Sequence, residues 1–139
     1  MKLTNNFTLS ELTHTNTGLI NEPNAQQLAA LKELAVNVLQ PLREKCGFNI
    51  HVNSGFRNLQ VNTKVKGSKT SQHMKGEAAD ITSENNKLLF DIIRNELEFD
   101  QLIWENGNDL QPLWVHVSYS NKNRNKFLRM KNGKYFKIK

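Results

Sequence analysis

The segment S-Q-H-M-K-G-E-A-A-D, residues 71–80, places a histidine and an aspartate seven positions apart around a glycine. In an α-helix this spacing would separate the two side chains by roughly 10 Å along the axis, whereas each ligand of a zinc ion lies about 2 Å from the metal. Gly76 and the small residues after it instead favour a turn that leads into a short strand, Ala78–Thr82. The turn would then deliver His73, and the strand would carry Asp80.

A second histidine lies in the segment W-V-H-V-S-Y, residues 114–119. Side chains alternate between the two faces of a strand, so Trp114, His116 and Ser118 should share one face. Two histidines and one carboxylate are the ligands of a catalytic zinc ion whose fourth position is left open for water. Convergence of His116 with the first histidine and the aspartate would therefore indicate a metallohydrolase. Taken alone, the spacing also allows the aspartate to cap a turn and His116 to be a half-buried polar residue of a strand.

The chain has 139 residues, which is enough for a single hydrophobic core, and we predict one domain over residues 1–139. It contains no run of about twenty apolar residues, so no membrane span is predicted. Residues 1–6 lack the apolar stretch of a secretory signal peptide, which predicts a protein made in the cytoplasm and either kept there or carried out by another system. Cys46 is the single cysteine, which excludes an intramolecular disulfide and a cysteine-rich zinc site.

The chain is basic, with a net charge of +6 and an isoelectric point near 9.6. Much of the positive charge is C-terminal, on Lys122, Arg124, Lys126, Arg129, Lys131, Lys134, Lys137 and Lys139. Such a patch is typical of nucleic-acid binding, but an anionic bacterial cell wall would attract it equally well. No helix-turn-helix, zinc-finger or aromatic-glycine RNA motif accompanies the charge, and we predict no nucleic-acid partner.

Apolar residues that recur every three or four positions predict two amphipathic helices. One follows Asn24, and the other covers Glu84–Leu97. Pro41 falls within the first pattern, where we expect a kink or an early end, and Gly47 is a good stop. The segment T-L-S-E, residues 8–11, predicts a capping box at the start of a shorter helix.

Alternating apolar residues predict strands between and after these helices. The expected strands are residues 48–52, 78–82, 101–105 and 114–119, and the segment K-N-G-K at residues 131–134 indicates a hairpin turn between two more. This order of elements predicts an α+β domain in which helices pack on a small, mostly antiparallel sheet.

Three sequence blocks, S-G-F-R at residues 54–57, S-x-H-x-x-G-x-A-x-D at 71–80 and W-V-H at 114–116, together resemble the zinc peptidases that cleave bacterial peptidoglycan. That family includes D-Ala-D-Ala carboxypeptidases, D-Ala-D-Ala dipeptidases and phage L-alanyl-D-glutamate endopeptidases. The segment F-T-L-S-E-L, residues 7–12, is similar to the opening of the small phage-type members. The resemblance extends over about residues 7–120.

The resemblance implies a zinc ion bound by His73, Asp80 and His116. It also implies that Arg57 contacts the substrate and takes part in catalysis, since a guanidinium can hold a carbonyl or a carboxylate with two parallel hydrogen bonds. The alternative for Arg57 is a salt bridge at the end of a strand. Ser71 is expected in the wall of the site, in contact with the substrate or with a metal ligand.

The general base is where the chain departs from the family pattern. Several members have an acidic residue three positions before the last histidine, and here that position is Leu113. We predict that Glu105, at the end of its strand, takes this role, with Asp109 in the following loop as the alternative. Glu77 lies between the ligands in sequence and is expected to face solvent.

The function implied is hydrolysis of an amide bond in the peptide part of peptidoglycan, by a monomer that acts at the cell wall. A phage or prophage lytic enzyme is the origin that the small phage-type resemblance suggests. The sequence leaves open which bond is cut and whether the enzyme is a carboxypeptidase or an endopeptidase. Because Leu113 replaces an acidic residue, a non-catalytic zinc module that binds cell wall or protein is the alternative. The architecture also resembles the hedgehog signalling domain, whose metal site need not be catalytic.

Overall fold

A six-stranded sheet forms the centre of the computed structural model, which describes residues 1–138. The strands in chain order are β1 His51–Ser54, β2 Ala78–Thr82, β3 Gln101–Glu105, β4 Trp114–Ser118, β5 Lys126–Lys131 and β6 Lys134–Lys137. Their order across the sheet is β1-β2-β4-β3-β5-β6. Every neighbouring pair is antiparallel except β3 and β5, which are parallel. The predicted α+β fold with a mostly antiparallel sheet is confirmed.

Five α-helices accompany the sheet: α1 Leu9–Thr13, α2 Ala25–Leu34, α3 Gln40–Cys46, α4 Leu59–Lys64 and α5 Asn86–Glu96. The predicted capping box is present, since Thr8 accepts from the backbone of Glu11 and the Glu11 side chain accepts in return. The sequence gives no apolar periodicity for α4, and its start depends on a local cap, the side chain of Asn58 accepting from the backbone N–H of Val61. Within residues 1–138, every helix is too short or too polar to cross a membrane.

The helical chain continues through Pro41. A π-helical segment, Ala35–Leu39, joins α2 directly to α3, and Pro41 is the second residue of α3. The helix ends where a glycine was expected to stop it, at Gly47, whose φ of 79° is left-handed. Of the two outcomes expected at Pro41, the early end is wrong, because the helix continues to Cys46; the irregularity beside the proline is the π-helical segment that precedes it.

Two strand boundaries also differ from the prediction. β1 begins at His51 instead of Phe48, although Ile50 is buried and Phe48 packs at the edge of the core. A bulge between Val52 and Ser54 interrupts its pairing with β2. β4 ends at Ser118, one residue earlier than expected.

Buried residues of α1, α2, α3 and α5 pack on one face of the sheet and form the apolar core there. Residues directly opposite each other on neighbouring strands share a face, and one such row is Val52, Ile81, Val115 and Trp104, all buried in the apolar core. Phe90 of α5 packs edge-on against Trp104, with 5.4 Å between ring centroids. Because side chains alternate, the residues between these point to the opposite face, where the polar groups lie.

Candidate metal centre and catalytic cleft

His73, Asp80 and His116 converge on the polar face of the sheet. Asp80 of β2 and His116 of β4 are direct partners in register, and a 3-10 turn, Gln72–Lys75, brings His73 beside them. One potential ligand atom from each residue lies within 4.8 Å of the other two. The Asp80 carboxylate is 3.4 Å from His73 Nε2 and 3.0 Å from His116 Nδ1. Two ligands bound to one tetrahedral zinc ion are roughly 3.4 Å apart, so the group fits a zinc ion in both ligand type and spacing.

Backbone contacts orient the imidazole of His73. Its Nδ1 lies 2.7 Å from the carbonyl oxygen of Gly55; because a carbonyl can only accept, Nδ1 donates this hydrogen bond, and Nε2 is the ring nitrogen that faces Asp80. Gly55 is required at this point, since a Cβ there would lie 2.4 Å from the carbonyl oxygen of Leu12. The block S-G-F-R at residues 54–57 therefore orients His73, which belongs to the block at residues 71–80.

The charge of Asp80 is favoured by its neighbours. Burial acts to raise the pKa of its carboxyl, but hydrogen bonds and charge from His116 and His73 outweigh burial and hold the pKa well below its usual range. Asp80 is therefore ionised at neutral pH, as a metal ligand must be.

Arg57 both lines the cleft and pairs with Asp80. Its guanidinium donates to the side chains of Ser54, Asn62 and Asp80, at 2.9, 3.4 and 3.3 Å. Burial lowers the pKa of Arg57, and the negative charge of Asp80 acts against this shift. The sequence allowed either a substrate contact or a salt bridge for Arg57. The salt bridge to Asp80 is present, and it holds the guanidinium in the cleft, where a substrate could reach it.

Ser71 borders the same cleft and caps the turn that carries His73. Its hydroxyl oxygen accepts from the backbone N–H of His73 at 3.1 Å. The hydroxyl proton is left to donate elsewhere. Ser71 was expected to contact either the substrate or a metal ligand, and the structure places it in contact with the candidate ligand His73.

Glu105 is buried at the end of β3, in the cleft that contains the histidines. It is a diagonal neighbour of His116 on the adjacent strand, and such positions are roughly 7–8 Å apart, which leaves room for a water molecule. Its Oε2 is buried without a hydrogen-bond partner among residues 1–138. Burial, followed by the negative charge of Asp80, raises the pKa of Glu105 to about 7, while His116 acts against this shift. A carboxylate in this position can accept a proton near neutral pH.

The other acidic candidates lie elsewhere. The side chain of Asp109 is 89% exposed and paired with Arg129. Leu113 is exposed, and its backbone N–H donates to the carbonyl of Glu105, so the position where the family has an acid is adjacent to the glutamate. Glu77, which was expected to face solvent, is half-buried, accepts from Gln72 and lines a separate surface cavity away from the ligands.

The cleft has a volume of about 640 Å³. Sequence reasoning missed several of its lining residues, among them Lys66, Gln101, Ile103, Met130 and Tyr135. Burial, followed by the charges of Glu105 and Asp80, raises the pKa of Tyr135. No local sequence signal identifies this residue, because its place in the cleft follows from strand register: Glu105 pairs with Met130, and Met130 pairs with Tyr135.

A second buried carboxylate, Asp100, precedes β3 and is fully engaged. Its oxygens accept from the Arg124 guanidinium at 2.8 and 3.0 Å, from the Arg124 backbone N–H at 3.1 Å, and from Gln72 at 2.8 Å. The hydrogen bond from the Arg124 side chain is the main cause of a lowered pKa for Asp100. This network joins the turn before His73 to the segment that leads into β5.

A family model described as Peptidase M15 matches residues 5–118 of the chain. The match contains all three sequence blocks and confirms the resemblance on which the predicted metal ligands were based. No curated protein matches the sequence.

Proposed function

Because the chain belongs to the Peptidase M15 family, we propose that it is a zinc peptidase that hydrolyses an amide bond in the peptide part of bacterial peptidoglycan. Family membership identifies a peptidase. The observation that supports the finer proposal is that one carboxylate oxygen of Glu105 is buried, has no hydrogen-bond partner among residues 1–138, and lies in the same cleft as His73, Asp80 and His116. We propose that residues 1–139 act as one such domain and that its place of action is the cell wall.

In this proposal His73, Asp80 and His116 hold the metal. Zinc bound there would supply Lewis acidity and lower the pKa of the attacking water towards neutrality. The chemistry of these side chains supports this assignment, since one imidazole is already oriented by a backbone carbonyl and the carboxylate is ionised.

Glu105 is the proposed general base. It takes a proton from the attacking water and gives that proton to the leaving amine when the amide bond breaks. Its raised pKa suits both halves of this task, because a group that titrates near pH 7 can accept and then donate. Asp109, the other candidate from the sequence, is exposed and occupied by Arg129, which argues for Glu105.

Arg57 is proposed to stabilise the negative charge that develops on the carbonyl oxygen. Its guanidinium is fixed by hydrogen bonds to Ser54 and Asn62 and is only 16% exposed, so little of its freedom remains to be lost on substrate binding. A charged donor held in this way is often worth about 3 kcal/mol of transition-state stabilisation. Ser71, on the wall beside His73, is the proposed additional contact to the peptide.

The alternative of a non-catalytic zinc module rested on the missing acid at Leu113. Glu105 lies next to that position and faces the cleft, which supports the catalytic reading. The net charge of +6 suits an anionic cell wall under either reading.

The proposal is tested by digesting purified peptidoglycan of several chemotypes with the zinc-loaded protein and weighing the fragments by mass spectrometry. We expect new fragments whose masses identify the bond that is cut. We expect His73→Ala to produce none of these fragments and to bind no zinc. His51→Ala is the matched control, because His51 is exposed and lies outside the cleft. An unchanged digest with zinc confirmed in the protein would overturn the proposed activity.

A further inference from the structure

The C-terminal hairpin, formed by β5 and β6, lies beyond residues 5–118 that match the family model, yet it forms one side of the cleft. Met130 of β5 and Tyr135 of β6 both line the cleft that contains Glu105 and His116. β5 reaches this position by pairing with β3 in parallel. The wall that these two side chains form is therefore an addition that the family match does not describe.

The register places Tyr135 in one row with the proposed base. Trp114, Glu105, Met130 and Tyr135 are successive cross-strand partners on β4, β3, β5 and β6. Direct partners share a face of the sheet, and neighbouring strands are about 4.8 Å apart. Tyr135 is thus two strands from Glu105, at roughly 10 Å, and its side chain extends over the same face.

Resting on the proposed function, we propose that Tyr135 is a substrate-positioning residue, whose hydroxyl donates a hydrogen bond to the peptide away from the bond that is cut. Arg57 lies beside Asp80 on the β2 side of the candidate metal group, and Tyr135 lies on the β6 side. A peptide that crosses the sheet between them would be contacted at both ends. Arg57 would hold the reacting carbonyl, and Tyr135 would hold a more distant part of the chain.

The dimensions of the sheet define which substrates are affected. Three strand spacings separate β4 from β6, roughly 14 Å, and this is the length of about four extended residues. The tyrosine side chain extends part of the way across this distance, so its hydroxyl should contact the peptide two to four residues from the cut bond. The substrate class is therefore a peptide with at least two further residues on one side, and a minimal substrate would not reach Tyr135.

The hairpin offers a matched control. Phe136 is the next residue of β6, and its exposed fraction is 50%, against 58% for Tyr135. It pairs with Arg129, whose side chain lies over Trp104 on the face of the sheet opposite the cleft. Alternation along the strand puts the two aromatic rings on opposite faces. Truncating either ring should disturb the hairpin to a similar extent, and only one of them should affect the substrate.

The test compares Tyr135→Phe, Tyr135→Ala and Phe136→Ala on a soluble peptidoglycan stem pentapeptide and on the shortest trimmed fragment that is still cleaved. We expect Tyr135→Phe to lower kcat/KM on the pentapeptide about fivefold through the loss of one hydrogen bond, and Tyr135→Ala to lower it further. On the shortest fragment all three variants should match the unchanged protein. Equal rates on the pentapeptide, or equal losses on both substrates, would overturn the role of Tyr135.

A binding measurement keeps this outcome separate from failure of the proposed function. Isothermal titration of the same pentapeptide into zinc-loaded Glu105→Gln should give a Kd that Tyr135→Ala weakens in that background and Phe136→Ala leaves unchanged. If the protein cuts no peptide but this difference in Kd is seen, the proposed function fails and the positioning role stands. If peptides are cut and neither rate nor Kd responds to Tyr135, the positioning role fails alone. Melting temperatures within a few degrees for both alanine variants would show that the hairpin is retained in each.

Discussion

Two buried carboxylates flank the short strand β3, and they differ in their partners. Asp100, just before the strand, is 3% exposed and accepts four hydrogen bonds from Arg124 and Gln72, and its pKa is lowered. Glu105, the last residue of the strand, is 7% exposed, has a buried oxygen with no partner among residues 1–138, and has a pKa of about 7. Burial is common to both. The hydrogen-bond donors around each group separate a structural carboxylate from one that is available for chemistry.

The largest effect that this comparison predicts is on activity at the Glu105 end. Glu105→Gln keeps the size of the side chain and removes its ability to take a proton. We expect kcat to fall by about 10²–10⁴-fold, with zinc content and melting temperature close to those of the unchanged protein. Near-normal turnover in the zinc-loaded variant would show that the base lies elsewhere.

At the other end of β3, the large effect should be on stability. Asp100→Ala removes the acceptor for four hydrogen bonds and leaves the half-exposed Arg124 to water. We expect the free energy of unfolding to fall by about 2–3 kcal/mol, measured by urea denaturation of the metal-free protein. If the free energy of unfolding fell as little as it does in Glu105→Gln, the two carboxylates would contribute equally to the stability of the fold.

The third prediction concerns pH, and its sign follows from the raised pKa of Glu105. Between the ordinary value of 4.5 and about 7 the folded protein keeps a proton that the unfolded chain releases, so rising pH favours unfolding in this range. Between pH 6 and pH 8 the metal-free protein should lose about 1 kcal/mol of stability relative to Glu105→Gln.

Urea denaturation of both proteins at the two pH values measures this difference. Glu98→Gln, which changes an exposed carboxylate outside the cleft, reports any pH dependence unrelated to the site. A constant gap between the unchanged protein and Glu105→Gln would contradict a raised pKa.

The smallest effect is expected at Asp109. Its side chain is almost fully exposed and pairs with Arg129 across the surface, and exposed ion pairs contribute little. Asp109→Asn should leave kcat/KM within about twofold of the unchanged value, assayed beside Glu105→Gln. A fall in kcat/KM as large as that of Glu105→Gln would indicate that Asp109, and not Glu105, is the general base.

Much of the candidate site could be predicted because its signals are local. The turn before Asp80 and the alternation around His116 are visible in short segments, and the two residues then prove to be direct partners on adjacent strands. Glu105 could be named because it ends an apolar strand immediately before a loop. The assignment of these residues to zinc and to catalysis stays a prediction.

The missed features depend on pairing between distant segments. β3 and β5 pair in parallel with β4 between them in sequence, and no turn signal fixes the register of such a pair. Tyr135 and Arg124 therefore could not be connected to the cleft from the sequence. The π-helical segment was missed for a different reason, since the apolar pattern around Pro41 is the same whether the helix ends or widens.

The parallel pairing also has a consequence for how much of the chain the sheet needs. A chain cut after Ser118 would keep every residue of the family match and would leave β3 as an edge strand, with its outer backbone groups unpaired. Within residues 1–138 that edge belongs to β6, which is four residues long and carries lysines at both ends, features that discourage strand addition. We therefore expect removal of the short basic hairpin to promote self-association through the uncovered edge of β3.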